Sequence, residues 1–111
     1  MPKPQPQPWK PSDATDIIRG IAKGEFALHL TEHARAQMKE RDLATGDVLH
    51  VLKRGFVYED AQSSTRAGYY KYKIDCKTPN SGARIVRVVV LPCLTPSELK
   101  AITVMWRDED R

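Results

Sequence analysis

The sequence predicts an α+β fold in which N-terminal helices pack on one face of a three- to four-stranded antiparallel sheet. Three observations lead to this class. Apolar residues recur at helical spacing in the first half of the chain. Runs that alternate in the manner of strands fill the second half, with turn-forming residues between them, which favours a meander covered by the helices. The length of 111 residues suits one domain.

A disordered, polyproline-type tail is expected over residues 1–11, because this stretch holds five of the eight prolines. Little stability should depend on it, and Trp9 is its one candidate for docking on the body or on a partner. A single α+β domain is predicted over residues 12–107, followed by a charged tail over residues 108–111.

The first helix is expected to begin after a Ser12 cap and to end at Gly24. Its apolar residues recur at helical spacing and predict a buried stripe formed by Ile17, Ile18, Ile21 and Ala22. Residues 25–30 alternate between apolar and other side chains, which predicts a short strand or an extended lead-in.

Residues 31–55 are predicted to form two short helices joined by a corner, around which the rest of the chain is organised. Thr31 should cap the first of these helices and Thr45 the second, because a hydroxyl accepts a free backbone N–H of the first turn. Gly55 is placed for a left-handed stop after the second helix.

The second half of the chain is predicted to supply the sheet. Residues 60–68 are polar and predict a mobile loop, and residues 78–82 carry strong turn chemistry, which indicates a hairpin. The expected strands cover residues 56–59, 69–76, 84–91 and 99–106.

The positive charge lies in the sheet half. The chain carries nine basic and nine acidic residues up to Asp60, but seven basic and two acidic residues from Ala61 to Trp106. Such asymmetry favours an anionic partner, either nucleic acid or an acidic protein. The alternative is a solvated sheet face that is rich in lysine and arginine.

Several classes of protein are not supported. No apolar run is long enough to span a membrane and there is no signal-peptide core, so a cytoplasmic protein with reduced thiols at Cys76 and Cys93 is expected. The chain lacks a glycine-rich phosphate loop and a nucleophile elbow, and no cofactor is expected. His29 and His33 straddle the predicted strand–helix boundary, which argues against a zinc site.

One set of residues carries a family resemblance. An H-A-x-x-x-M-x-E-R helix, a D-V-x-x-V-L-x-x-G helix and an I-T-V-x-W ending are present as His33-Ala34, Met38, Glu40-Arg41, Asp47-Val48, Val51-Leu52, Gly55 and residues 102–106. In this pattern the chain resembles, over residues 26–107, a small bacterial domain family of unknown function that is likened to RelE/BrnT-type toxins. Members of that family usually carry arginine at the position of Gln37.

The resemblance implies a RelE-like fold and a metal-independent endoribonuclease of a type II toxin–antitoxin module. It also implies two partners, RNA and an acidic or strand-donating antitoxin protein. The alternatives are a non-catalytic module that binds nucleic acid or protein through the basic sheet face, and a family member that has lost its activity. The glutamine at position 37 motivates the last of these.

Cleavage of RNA without a metal needs a proton-transfer group and cations that stabilise the phosphorane. His33, at the start of a helix, is the candidate acid–base, and Arg87, inside a run of valines, is the candidate cation. These two are expected to approach each other on the open side of the sheet. The candidate nucleic-acid contacts are Lys71, Lys73, Arg84, Tyr72 and Arg41.

Each candidate also has a structural interpretation. Arg87 would instead face solvent or pair with Asp75 across the hairpin, and His33 would cap its helix or bind the next strand. Arg41 would pair with Glu40 or Asp47, and the tyrosine that faces the helices would pack in the core.

Overall fold

Three α-helices and six β-strands are present in residues 6–110, the part of the chain that the computed structural model describes. The helices are α1 (Pro11–Lys23), α2 (Glu32–Glu40) and α3 (Thr45–Arg54). The strands are β1 (Ala27–Leu30), β2 (Phe56–Val57), β3 (Gln62–Ser63), β4 (Tyr70–Cys76), β5 (Val86–Leu94) and β6 (Ser97–Trp106). A 3₁₀ turn, Arg107–Glu109, follows β6.

The sheet is mixed and has six strands, so the predicted three- to four-stranded antiparallel sheet was wrong in count and direction. Its order is β1-β6-β5-β4-β2, with β3 also paired to β4. β1 runs parallel to β6, with Ala27 opposite Glu98, whereas the other neighbouring strands are antiparallel. Alternation in sequence marks β1 as a strand but does not indicate a partner so far along the chain. β3 has only two residues, and it occupies part of the predicted mobile loop.

One face of the sheet carries the core, as predicted. Directly paired residues on antiparallel strands share a face, so Ile74 and Val88 lie on the same side, as do Val88 and Val104. All three are fully buried, and the helices cover them with the apolar side chains of Ile18, Ala34, Met38, Val48, Val51 and Leu52. The opposite face carries Lys73, Asp75 and Arg87 and is called the open face below.

The N-terminal segment differs from the expected disordered tail at Trp9, which is only 2% exposed and belongs to the core cluster. Its ring stacks on Tyr72 with 5.2 Å between centroids, and its backbone N–H donates to the Tyr72 hydroxyl at 3.0 Å. Residues 1–5 lie outside the described part of the chain. α1 begins at Pro11 with Lys10 as N-cap, and Ser12 is already helical. Proline suits this first position because its missing N–H would be unpaired there.

The ends of the two organising helices follow the sequence signals only in part. Thr31 caps α2, as expected, by accepting the Ala34 N–H at 3.0 Å. Thr45 does not cap α3: Ala44 is the N-cap, and its N–H donates to Asp47 at 2.8 Å. Gly55 has φ −77° and is not left-handed. A Cβ there would lie 2.5 Å from the Val51 carbonyl oxygen, so close approach of chains accounts for the glycine.

Beyond the end of β1, helix α2 and its N-cap residue supply hydrogen-bond partners for the edge of β6. The Thr31 hydroxyl donates to the Ile102 carbonyl at 3.0 Å, and the Gln37 side-chain oxygen accepts the Val104 N–H at 2.9 Å. Arginine has no acceptor atom. An arginine at position 37 could not make this bond.

Candidate nucleic-acid interface

Arg87 lies in a saturated ion network on the open face. Its guanidinium donates to both Asp75 carboxylate oxygens at 2.8 and 2.9 Å and to Asp110 at 2.9 Å, with Glu59 at 3.2 Å. Arg87 and Asp75 are 5% and 3% exposed. The bonds to Asp75 raise the pKa of the guanidinium above its ordinary value despite the burial. Arg87 is therefore engaged in the structural pair with Asp75, and each of its three nitrogens has a carboxylate partner.

Three consecutive acidic residues after β6 neutralise three of the predicted nucleic-acid contacts and also bind Arg87. Asp108 binds Arg84 at 2.7 Å, and Glu109 binds Arg41 through two bonds of 2.7 and 2.8 Å. Asp110 bridges Lys73, at 3.0 Å, and Arg87. The bonds from Arg41 lower the pKa of the Glu109 carboxyl to about 2, and those from Lys73 and Arg87 lower the pKa of Asp110. This acidic segment was expected to be no more than a charged tail.

Tyr72 and His33 lie away from the open face. Tyr72 is 1% exposed and belongs to the core cluster beneath the helices, so its ring is not accessible to a base. His33 is exposed on α2, and that helix packs its Ala34 and Met38 against the helix-covered face. Arg87 belongs to the opposite face, and its hydrogen-bond and ion-pair partners there are carboxylates and do not include His33.

A second region of the open face is concave and encloses a volume of about 740 Å³. This region is called the cleft below. It lies where β1, β6, β5 and β4 meet the turn after β3. Of the predicted contacts, Lys71 lines it. The other lining residues are His29, Thr31, Ser64, Thr65, Arg66, Tyr69, Leu91, Cys93, Glu98, Lys100 and Ile102.

Parallel pairing of β1 with β6 assembles the polar side of the cleft. It sets His29 opposite Lys100 in register, and the His29 Nε2 lies 3.5 Å from the Glu98 carboxylate. A hydrogen-bonded turn after β3 adds Arg66, whose guanidinium lies 4.5 Å from the centre of the Tyr69 ring. The sequence marked β1 as a strand but gave it no partner, which is why His29 and Lys100 were missed.

The cleft has an excess of positive charge and no sign of a metal centre. Arg66, Lys71 and Lys100 line it together with the single carboxylate of Glu98. Across residues 6–110, no group of three or more histidine, cysteine or acidic side chains is arranged to hold a metal ion. Cations and an aromatic ring on a concave surface suit the phosphates and bases of a nucleic acid.

Two further expectations from the sequence concern the state of the cysteines and the presence of membrane-spanning helices. Cys76 and Cys93 are free thiols, each partly buried. Burial raises the pKa of the Cys76 thiol, although Arg19 and Arg54 oppose that effect. No helix within residues 6–110 is long and apolar enough to cross a membrane.

Comparison with protein families gives one match. Residues 30–106 fit the model of a family described as Domain of unknown function (DUF4258), which is more than half of the chain. The chain belongs to the DUF4258 family. No curated protein and no solved structure matches it. The DUF4258 match confirms the predicted resemblance to a domain family of unknown function, and the matched residues contain both organising helices.

The DUF4258 match begins after α1 and most of β1, two elements that complete the fold. α1 and Trp9 precede residue 30, yet Trp9, Ala14, Ile18 and Ala22 are all buried in the core. β1, which brings His29 to the cleft, reaches the match only at Leu30. Part of the core and one lining residue of the cleft, His29, therefore come from outside the family model.

Proposed function

We propose that this DUF4258 protein binds single-stranded RNA in the cleft. The observation that carries the proposal is the cleft lining itself, in which three cations and a tyrosine face a concave surface with one carboxylate. Cations that track phosphates and rings that stack on bases are the usual elements of single-strand binding. The sequence resemblance to RelE/BrnT-type toxins supports RNA as the ligand, and an acidic protein is the competing ligand.

Replacing Lys71 and Lys100 together with glutamine should weaken RNA binding and flatten its salt dependence. Each single-strand phosphate contact contributes about 0.7 to the slope of log affinity against log salt, so losing two should lower the slope by about 1.4. Fluorescence anisotropy with a labelled RNA of about 15 nucleotides, longer than most single-domain sites, measures both quantities.

The matched control is the Arg35→Gln/Lys39→Gln variant, which removes two exposed cations from α2. It should leave the slope near that of the parent protein. Equal slopes for the two variants, or no RNA binding at low salt, would contradict the proposal.

Metal-independent cleavage of the bound RNA is a second candidate function, favoured by the His29–Glu98 contact of 3.5 Å inside the cleft. A carboxylate that orients an imidazole beside lysines provides both a proton-transfer group and charge stabilisation. This arrangement replaces His33 and Arg87 as the candidate catalytic pair. It supports a toxin of a type II toxin–antitoxin module, whose strand-donating antitoxin would find β1 at the edge of the sheet.

His29→Ala should reduce cleavage of a labelled RNA in EDTA by about 100-fold or more, the usual contribution of general acid–base catalysis. RNA affinity should change little, because two cleft lysines remain. His33→Ala is the matched control and should cleave at the parent rate. The same RNA with 2′-deoxy sugars should resist cleavage. Equal activity of the two histidine variants would exclude His29 as the proton-transfer group.

A further inference from the structure

A second cationic surface lies outside the cleft, at the C-terminal ends of α1 and α3. Arg19, Lys23, Lys53 and Arg54 line a recess of about 500 Å³. Phe56 and Tyr58 stand beside it and are 49% and 61% exposed, the most exposed large apolar side chains of the described residues. These six residues are called the edge patch.

The two aromatic rings of the edge patch lie next to each other, and each also contacts an arginine. The Arg19 guanidinium lies 4.2 Å from the centre of the Phe56 ring, and the Phe56 and Tyr58 rings are 6.1 Å apart. Arg107 lies 5.6 Å from the centre of the Tyr58 ring on the far side. Arg19 is held in place by bonds to the Gly55 and Arg54 carbonyls at 2.8 and 2.7 Å.

The recess differs from the network around Arg87 in its charge balance. Within residues 6–110, no carboxylate pairs with Arg19, Lys23, Lys53 or Arg54, whereas the acidic segment neutralises Arg41, Arg84 and Arg87. Basic residues in the last turn of a helix do complement its dipole. That role explains Lys23 and Lys53, but it does not explain two exposed aromatic rings at the same place.

Two backbone groups beside the edge patch are already paired, which disfavours an added strand as the occupant. The Val57 N–H donates to the Thr15 hydroxyl at 2.9 Å, and the Gly55 carbonyl accepts from Arg19. These bonds cover the outer edge of β2 with α1. Recognition would therefore use side chains, namely the exposed rings and the cations that have no carboxylate partner.

We propose that the edge patch is a second contact surface for single-stranded RNA, with phosphates on the recess cations and a base stacked on the exposed rings. The identity of the ligand rests on the proposed function. Charge complementarity favours RNA, since four cations without a carboxylate partner meet a polyanion, and every base offers a face to an aromatic ring. An acidic protein would use the cations but would leave the rings without a planar partner.

Two substitutions at exposed positions test the edge patch in the full-length chain. Tyr58→Ser should weaken binding of a labelled RNA by about tenfold, the effect expected from the loss of one stacked base. Lys23→Gln/Lys53→Gln should lower the salt slope by about 1.4. The RNA should have about 20 nucleotides, because a stacked strand of that length, at about 3.4 Å per nucleotide, is longer than the 37 Å long axis of the protein.

The cleft and α2 variants described above make the outcomes distinguishable. Weaker RNA binding by Tyr58→Ser together with a lower salt slope in Lys23→Gln/Lys53→Gln supports the inference. RNA binding by both variants that matches the α2 control overturns it. If only Lys71→Gln/Lys100→Gln lowers the salt slope, the inference fails but the proposed function stays in place. Losses at the edge patch with an unaffected cleft variant support the inference and contradict the cleft. Equal loss for a polyglutamate probe in Tyr58→Ser would overturn RNA as the occupant.

Discussion

Replacing Arg87 with alanine is expected to lower the free energy of unfolding by about 3–5 kcal/mol. The truncation leaves Asp75, only 3% exposed, without the two short bonds that compensate its burial. Arg107, at 3.7 Å, is the remaining cation near that carboxylate. Urea denaturation followed by circular dichroism measures the change.

Two further variants separate this effect from a loss of charge alone. Arg84→Ala removes a guanidinium whose side chain is 47% exposed and which pairs with Asp108. It should cost no more than about 1 kcal/mol, as exposed pairs do. Arg87→Met combined with Asp75→Leu should recover most of the stability, because apolar residues of similar volume often replace a buried pair without loss. A change below about 1 kcal/mol in Arg87→Ala would show that the network is not structural.

Replacing Trp9 with alanine should cost about 3–5 kcal/mol, the usual loss when a large buried aromatic residue is truncated. The change would remove the stacking on Tyr72 and leave a cavity beneath α1. It should lower the melting temperature by more than roughly 10 °C for a domain of this size. Differential scanning calorimetry measures both values.

Trp9→Phe is the control, since a smaller ring retains part of the stacking and should lose less than half as much. A melting temperature unchanged in Trp9→Ala would restore the expectation that little stability depends on residues 1–11. The backbone bond from Trp9 to the Tyr72 hydroxyl survives both substitutions, so the comparison reports on ring packing.

The helices could be predicted because their signals are local. The apolar spacing that indicated α1 is borne out by Ile18 and Ala22, and Thr31 caps α2 with its own hydroxyl. The start of a helix was predicted wrongly where two local signals competed. Both Lys10 and Ser12 stand near the start of α1, and the proline between them fixes the first helical position at Pro11.

The sheet could be predicted only where neighbours in sequence pair with each other. β4, β5 and β6 follow this rule. The pairing of β1 depends on the shape of the whole sheet, and the docking of Trp9 depends on a tyrosine 63 residues away. No periodicity within either segment contains that information.

For the same reason, the sequence did not predict the partners of the candidate site residues. Lys73, Arg84 and Arg41 were singled out for their charge, but their charge is met by a segment that folds back from the end of β6. The arginine within the valine run was correctly seen as unusual, and the Asp75 alternative accounts for it. His29 lies in the cleft because β1 pairs with β6 in parallel, and alternation in the sequence does not reveal that pairing.

The parallel pairing of β1 with β6 also constrains the order in which the molecule can be completed during synthesis. Ala27 pairs with Glu98, so β1 must wait while the intervening chain is made, whereas β4 and β5 can meet as soon as both have emerged. Closing so long a segment slows folding more than it weakens the final state. Until β6 leaves the ribosome, β1 lacks its partner strand and its Leu28 and Leu30 cannot complete their packing, a state that is prone to aggregation.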